Sequence, residues 1–294
     1  MKSQAEMFRE RVEQADRTRT EGPRRARTFC VTSGKGGVGK TSFSVNFGIS
    51  LAQWGKKVVV IDGDFGFSNV NLMLGNNSPY TLEHVIRGEK RLHEIMSESY
   101  PNLWYISGGS GVRELIELDE GKLDGVLSQL APLEAQMDFI IFDTGAGMNA
   151  NILRMIDAAD TTVLVTTPEP TSVLDSYVVL KSSADLENRP HVEVLINKAN
   201  NAREVQNTYT SLASVADRNL GWHVDMLGHI PLDDRITKSI KDMTPYMIQY
   251  PLSSLSQQMK RIAQSVAMPR EEPAPSQKSG VRGFFQRLLQ RRGS

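Results

Sequence analysis

The chain has a single cysteine among 294 residues. That excludes an internal disulfide framework and a cysteine pair able to bridge an iron–sulfur cluster. Cys30 sits within an apolar run and reads as a small core residue. No apolar stretch approaches the ~18 residues of a membrane-spanning helix, and the first residues are too charged for a secretory leader, so the sequence predicts a protein made and kept in the cytosol. Neither charge is in excess: 34 Lys and Arg stand against 34 Asp and Glu. The global positive field of nucleic-acid binders is therefore missing, and no specific nucleic acid is expected as a partner. Asp64-Phe65-Gly66 spells a kinase triplet, but no H-R-D catalytic loop accompanies it, so the match is a coincidence. The length accommodates one large α/β domain and is short for two.

What the chain does have is Gly34-Lys35-Gly36-Gly37-Val38-Gly39-Lys40-Thr41, a G-x-x-x-x-G-K-[ST] phosphate loop. In such a loop backbone N–H groups at a helix start wrap the phosphates, and the glycines let the backbone approach closely. Lys40 then reaches the β and γ phosphates of ATP, and the Thr41 hydroxyl holds Mg²⁺. The context agrees. Thr28 to Thr32 reads as a buried strand, and Ser42 to Trp54 as a helix with Phe43, Phe47, Leu51 and Trp54 at helical spacing. Gly34 to Ser42 is the candidate nucleotide-binding segment.

Two further runs end in acids. Lys57 to Ile61 leads into Asp62-Gly63-Asp64, where strand alternation sends both carboxylates to one side, toward one metal or one water. Asp138 to Phe142 leads into Asp143, at the strand end where open α/β sheets bind ligands. Thr41, Asp62 and Asp143 are the candidate Mg²⁺ residues, and Asp64 the candidate that orients the attacking water. Thr161 to Thr167, ending at Pro168-Glu169-Pro170, and Val192 to Ile196, ending at Asn197, continue the series. Strands alternating with helices predict one doubly wound, mostly parallel sheet with helices on both faces.

The ends differ from the middle. Residues 1–26 form a charged arm with a thin apolar stripe, 27–268 the α/β domain, 269–280 a Pro- and Ser-rich linker, and 281–294 a basic amphipathic helix. In that last segment Val281, Phe284, Phe285, Leu288 and Leu289 recur at helical spacing among arginines, with no acid between them. At 100° per residue they span roughly 140° of arc, enough to lie in an anionic lipid headgroup boundary. Docking on the protein's own core is the alternative, which the Pro-rich linker disfavours by leaving the tail no fixed approach.

Lys35, directly after the first glycine, resembles the deviant phosphate loop of the MinD/ParA group of ATPases. The similarity covers about Arg27 to Met268. It implies a homodimer closed face to face around two ATP molecules, each subunit lending Lys35 to the other's nucleotide, so that Lys35, Lys40 and Asp64 carry catalysis. It also implies that Glu169 touches the partner's nucleotide, that Asn197 reads the adenine edge, and that Gly228-His229-Ile230-Pro231 flanks the base. Asn197 equally fits an ordinary turn residue. Gln4-Ala5-Glu6-Met7-Phe8-Arg9 is similar to the D-Q-A-x-x-L-R arm of the flagellar branch of this group, with Ser3 for Asp and Phe8 for Leu. That resemblance implies that Gln4, Ala5, Phe8 and Arg9 contact the signal-recognition-type GTPase FlhF and stimulate it. It further implies that the ATPase engages switch-complex (C-ring) proteins and controls flagellar number or placement. A MinD-type division regulator, which lacks the arm, and a ParA-type DNA partition ATPase, which needs basic residues on its core, stay open.

Overall fold

The computed structural model describes residues 26–63, 69–74, 79–108, 133, 135–186, 188–268 and 283–284. Gln4, Ala5, Phe8, Arg9, Asp64, Val281, Phe285, Leu288 and Leu289 lie outside that set.

Four apolar runs become strands buried along their length, apart from the half-buried Arg27: β1 (Arg27–Thr32), β2 (Val58–Gly63), β5 (Phe139–Thr144) and β6 (Thr161–Thr166). They lack polar alternation because a parallel strand in the middle of a doubly covered sheet has no solvent face. β3 (Ser97–Tyr100), β4 (Leu103–Ile106), β7 (His191–Ala199) and β8 (Asp225–Pro231) complete the sheet among the described residues, in the order β3-β4-β2-β5-β1-β6-β7-β8. All neighbours pair in parallel except β3 with β4. β1 thus lies between β5 and β6, and its C-terminal end opens where the chain winds outward in both directions, the position at which such sheets bind ligands.

Helices follow the strands: α1 (Lys40–Gln53), α2 (Asn69–Leu74), α3 (Leu82–Ile86), α4 (Leu92–Ile95), α5 (Ala150–Ala158), α6 (Pro170–Ser183) and α7 (Ala202–Leu220). After β8 come α8 (Asp234–Lys241), α9 (Tyr246–Gln249) and α10 (Ser254–Ala267). Strand alternation divides the interior into two cores. Phe29 and Val31 face α1 and α10, packing with Phe43, Phe47, Leu51, Met259 and Ile262. Cys30, Ile61 and Phe142 face the other way, toward Ile152 and Met155 of α5, Val179 and Leu180 of α6, and Leu212 of α7.

Two expectations are corrected. Strand β7 does not stop at Ile196 but runs on through Asn197 to Ala199, because β8 continues to pair with it as far as Pro231. The tail, expected to stay off the core, has Phe284 fully buried, its ring stacked on Phe142 with centroids 4.0 Å apart and planes 10° apart. An apolar face suited to lipid is equally suited to a protein interior, since water expels it from both. Ring stacking adds about 0.5–1.5 kcal/mol. Phe284, read from the sequence as membrane-facing, is therefore a core side chain in this conformation.

Candidate functional site

The loop between β1 and α1 takes its shape from its glycines. Gly37 and Gly39 adopt left-handed backbone, at φ 73° and 100°, which residues with a Cβ avoid. A Cβ on Gly39 would also collide with the Asn197 amide, and one on Gly34 with the backbone of Asp175 in α6. Gly39 is the residue preceding α1, and no acid occupies the first turn of that helix, so its positive end is left for an anion. Lys40 is buried, and its Nζ donates to Ser33 Oγ at 2.9 Å while Ser33 Oγ donates to the Lys35 carbonyl at 2.8 Å. The loop's own cation is thus held beneath it, within the subunit's own phosphate site. Ser42 lies on the buried side of α1, where its carbonyl accepts from Asn46 Nδ2 at 2.7 Å.

On the metal side, Thr41 Oγ1 donates to Asp143 Oδ2 at 2.7 Å, and Ser44 Oγ donates to Asp143 Oδ1 at 2.9 Å. Asp62 stands opposite Asp143 in the β2–β5 register, and both are buried. This set of hard oxygen donors fits Mg²⁺, which prefers one or two carboxylates plus water and phosphate oxygens to an all-protein cage. No group of three or more His, Cys, Asp or Glu able to hold a metal occurs among the described residues. Burial, and then the charge of Asp143, pushes the Cys30 thiol well above its usual range, leaving it an inert core group.

Lys35 sits quite differently from Lys40. Its side chain is 39% exposed, and Nζ donates to Glu169 Oε2 at 2.7 Å and to Thr171 Oγ1 at 3.2 Å. Glu169 immediately precedes α6, with Pro170 in the first helical turn. The hydrogen bond from Lys35, then the Lys35 charge, with a smaller contribution from Lys198, holds the Glu169 carboxyl below its usual range. The pair is exposed and contributes little to stability. What it does is keep one cation on the open rim of the loop.

At the other edge, Asn197 Nδ2 donates to the Val38 carbonyl at 2.7 Å and Lys198 Nζ to the Gly37 carbonyl at 2.8 Å. Pro231 ends β8 beside Ala199. The structure therefore brings Gly34 to Ser42, Asp62, Asp143, Glu169, Asn197 and Pro231 together at the C-terminal ends of the strands. Sequence reasoning missed Ser33, Ser44, Thr171 and Lys198. Ser44 could have been found, since three residues beyond Thr41 it shares a helix face with it.

A phosphate loop on a parallel sheet, with a buried lysine inside it, a second lysine on its rim and a hydroxyl–aspartate pair for Mg²⁺, defines a P-loop nucleoside triphosphatase of the deviant-loop class. The chain belongs to the ParA/MinD family of these proteins: residues 25–267 match the ParA family model, described as NUBPL iron-transfer P-loop NTPase. It is 32% identical over 267 residues to the antiactivator FleN of Pseudomonas aeruginosa, covering 89% of this chain and 93% of FleN. It is likewise 32% identical over 265 residues to the flagellum site-determining protein YlxH of Helicobacter pylori, covering 89% of each. Among solved structures, the septum site-determining protein MinD of Pyrococcus horikoshii, complexed with Mg-ADP, superposes with a TM-score of 0.64 at 22% identity, over 82% of this chain and 96% of that one. At that identity the likeness establishes the fold.

Proposed function

We propose that this protein is a Mg²⁺-dependent ATPase that dimerises around two ATP molecules and regulates the number or placement of flagella. The observation that carries the dimer is the contrast between the two lysines. Lys40 is buried beneath its own loop, whereas Lys35 lies on the rim, its side chain 39% exposed and bonded to the exposed Glu169 and Thr171. In this reading Lys40 neutralises the phosphates bound by its own subunit. Lys35 leaves Glu169 and Thr171 to place its ammonium on the charge that builds during phosphoryl transfer in the partner. Bound Mg²⁺ would supply charge neutralisation on the phosphate oxygens, with Thr41, Asp143 and Asp62 holding it or its waters. Asp64 orients the attacking water, and Asn197 and Pro231 border the base.

The flagellar assignment rests on similarity to YlxH, a flagellum site-determining protein, and on the resemblance of the N-terminal arm to that of the flagellar branch, with the antiactivator FleN equally similar in sequence. With it come stimulation of FlhF by the arm around Gln4, Ala5, Phe8 and Arg9, and engagement of C-ring proteins. The C-terminal segment is the membrane element. A side chain with no exposure cannot enter lipid, so insertion requires Phe284 to leave Phe142. The tail thereby partitions between core and anionic membrane, and a dimer, with two tails, binds a surface far more tightly than a monomer. Analytical ultracentrifugation with a hydrolysis-resistant ATP analogue and Mg²⁺ tests the dimer directly: wild type should sediment as a dimer and Lys35→Ala as a monomer. A dimeric Lys35→Ala protein would overturn the reading.

A further inference from the structure

We infer that Lys198 is a positioning residue of the nucleotide site: with Asn197 it clasps two successive carbonyls of the phosphate loop and so fixes the direction of the loop's N–H groups. Consecutive residues of a strand normally point to opposite faces. Here Asn197 Nδ2 reaches Val38 O and Lys198 Nζ reaches Gly37 O, at 2.7 and 2.8 Å. The cause is a bulge. β7 and β8 slip in register between Asn197 and Ala199, leaving Lys198 as the extra residue, and Lys198 takes a left-handed φ of 58°. Bulges of this kind re-aim a side chain beside a functional site. A left-handed backbone is unfavourable for a residue with a side chain and persists where surrounding contacts hold it. The Asn197 amide is itself oriented, since its Oδ1 accepts from Lys198 N at 2.9 Å and so turns Nδ2 to the loop.

The consequence follows from peptide geometry. In a planar trans peptide C=O and N–H point in opposite directions. Holding the carbonyls of Gly37 and Val38 outward turns the N–H groups of Val38 and Gly39 inward, where a phosphate is received. Lys198 thus acts through the loop rather than by touching nucleotide.

The inference rests on the loop's binding of nucleotide phosphates, and the test separates the two. The full chain is titrated calorimetrically with Mg-ADP and, separately, with inorganic pyrophosphate. Lys198→Ala should weaken both by the same factor, about tenfold, and Lys198→Arg should restore both to within about threefold of wild type. Lys198→Gly removes the clasp while relieving the left-handed strain. It should show the same loss of affinity with a ligand-free melting temperature at or above that of Lys198→Ala. Unchanged affinities in Lys198→Ala and Lys198→Gly would overturn the clasp. So would a loss confined to Mg-ADP, which would place Lys198 against the base. Wild type that binds neither probe would overturn the nucleotide reading, and the clasp with it.

Discussion

Replacing Phe142 by leucine offers a clean perturbation of the tail, because it alters the surface on which Phe284 docks and leaves the tail's own sequence intact. Phe142 is 1% exposed on β5 and stacks on Phe284 across 4.0 Å. Leucine keeps most of the apolar volume but removes the ring–ring contribution, about 0.5–1.5 kcal/mol. The apparent affinity of the tail for a membrane is its intrinsic affinity multiplied by the undocked fraction. While undocked chains are the minority, weakening the dock by that amount raises the fraction, and the affinity, roughly 2- to 13-fold. The assay is cosedimentation of nucleotide-free protein with vesicles containing anionic phosphatidylglycerol, accompanied by hydrogen exchange over residues 281–294. Phe142→Leu should bind more tightly and exchange faster in the tail. Phe284→Ala should also undock, yet bind more weakly, because it loses a ring proposed to anchor the tail in the membrane. Unchanged vesicle binding and unchanged tail exchange in Phe142→Leu would refute the competition between core and membrane.

Lys35→Ala should leave the melting temperature nearly unchanged, since the pair with Glu169 is exposed, while steady-state ATP hydrolysis falls on the order of 10³-fold. In the same variant the NMR titration midpoint of the Glu169 carboxyl should rise toward its ordinary value, as the hydrogen bond that depresses it is gone. Ser44→Ala should raise the Mg²⁺ concentration needed for half-maximal hydrolysis about tenfold, because Asp143 loses one of the two hydroxyls that orient it; an unchanged Mg²⁺ profile would show that Thr41 suffices. A peptide of residues 1–27 should accelerate GTP hydrolysis by a cognate FlhF, and a Gln4→Ala peptide should do so poorly; equal rates with and without peptide would remove the FlhF assignment.

Much of the site was legible in the sequence because its chemistry is local. The loop, its lysine and its hydroxyl are contiguous from Gly34 to Thr41, and Asp143 ends a run whose unbroken apolar character marks a strand covered on both faces. The buried parallel strands β1, β2, β5, β6 and β7 were legible for the same reason, whereas β3, β4 and β8 were not read as strands. What could not be read depends on contacts distant in sequence. The bulge at Lys198 arises from pairing with β8, and alternation would have sent its side chain away from the loop. Phe284 illustrates a different limit: an amphipathic pattern specifies that a face is apolar, not whether lipid or protein covers it, and Phe142 lies 142 residues earlier in the chain. The Lys35–Glu169 tether likewise joins residues 134 positions apart.

Whether Lys35 acts on the nucleotide of a second subunit can be read from ATP turnover per protomer as a function of protein concentration, with Mg²⁺ and saturating ATP. If the lysine works across an interface, turnover per protomer is near zero in dilute solution, rises with concentration, and reaches a plateau as the dimer measured by ultracentrifugation saturates. A turnover per protomer that is constant from dilute to concentrated protein would mean that one subunit is a complete catalyst, and would contradict the account.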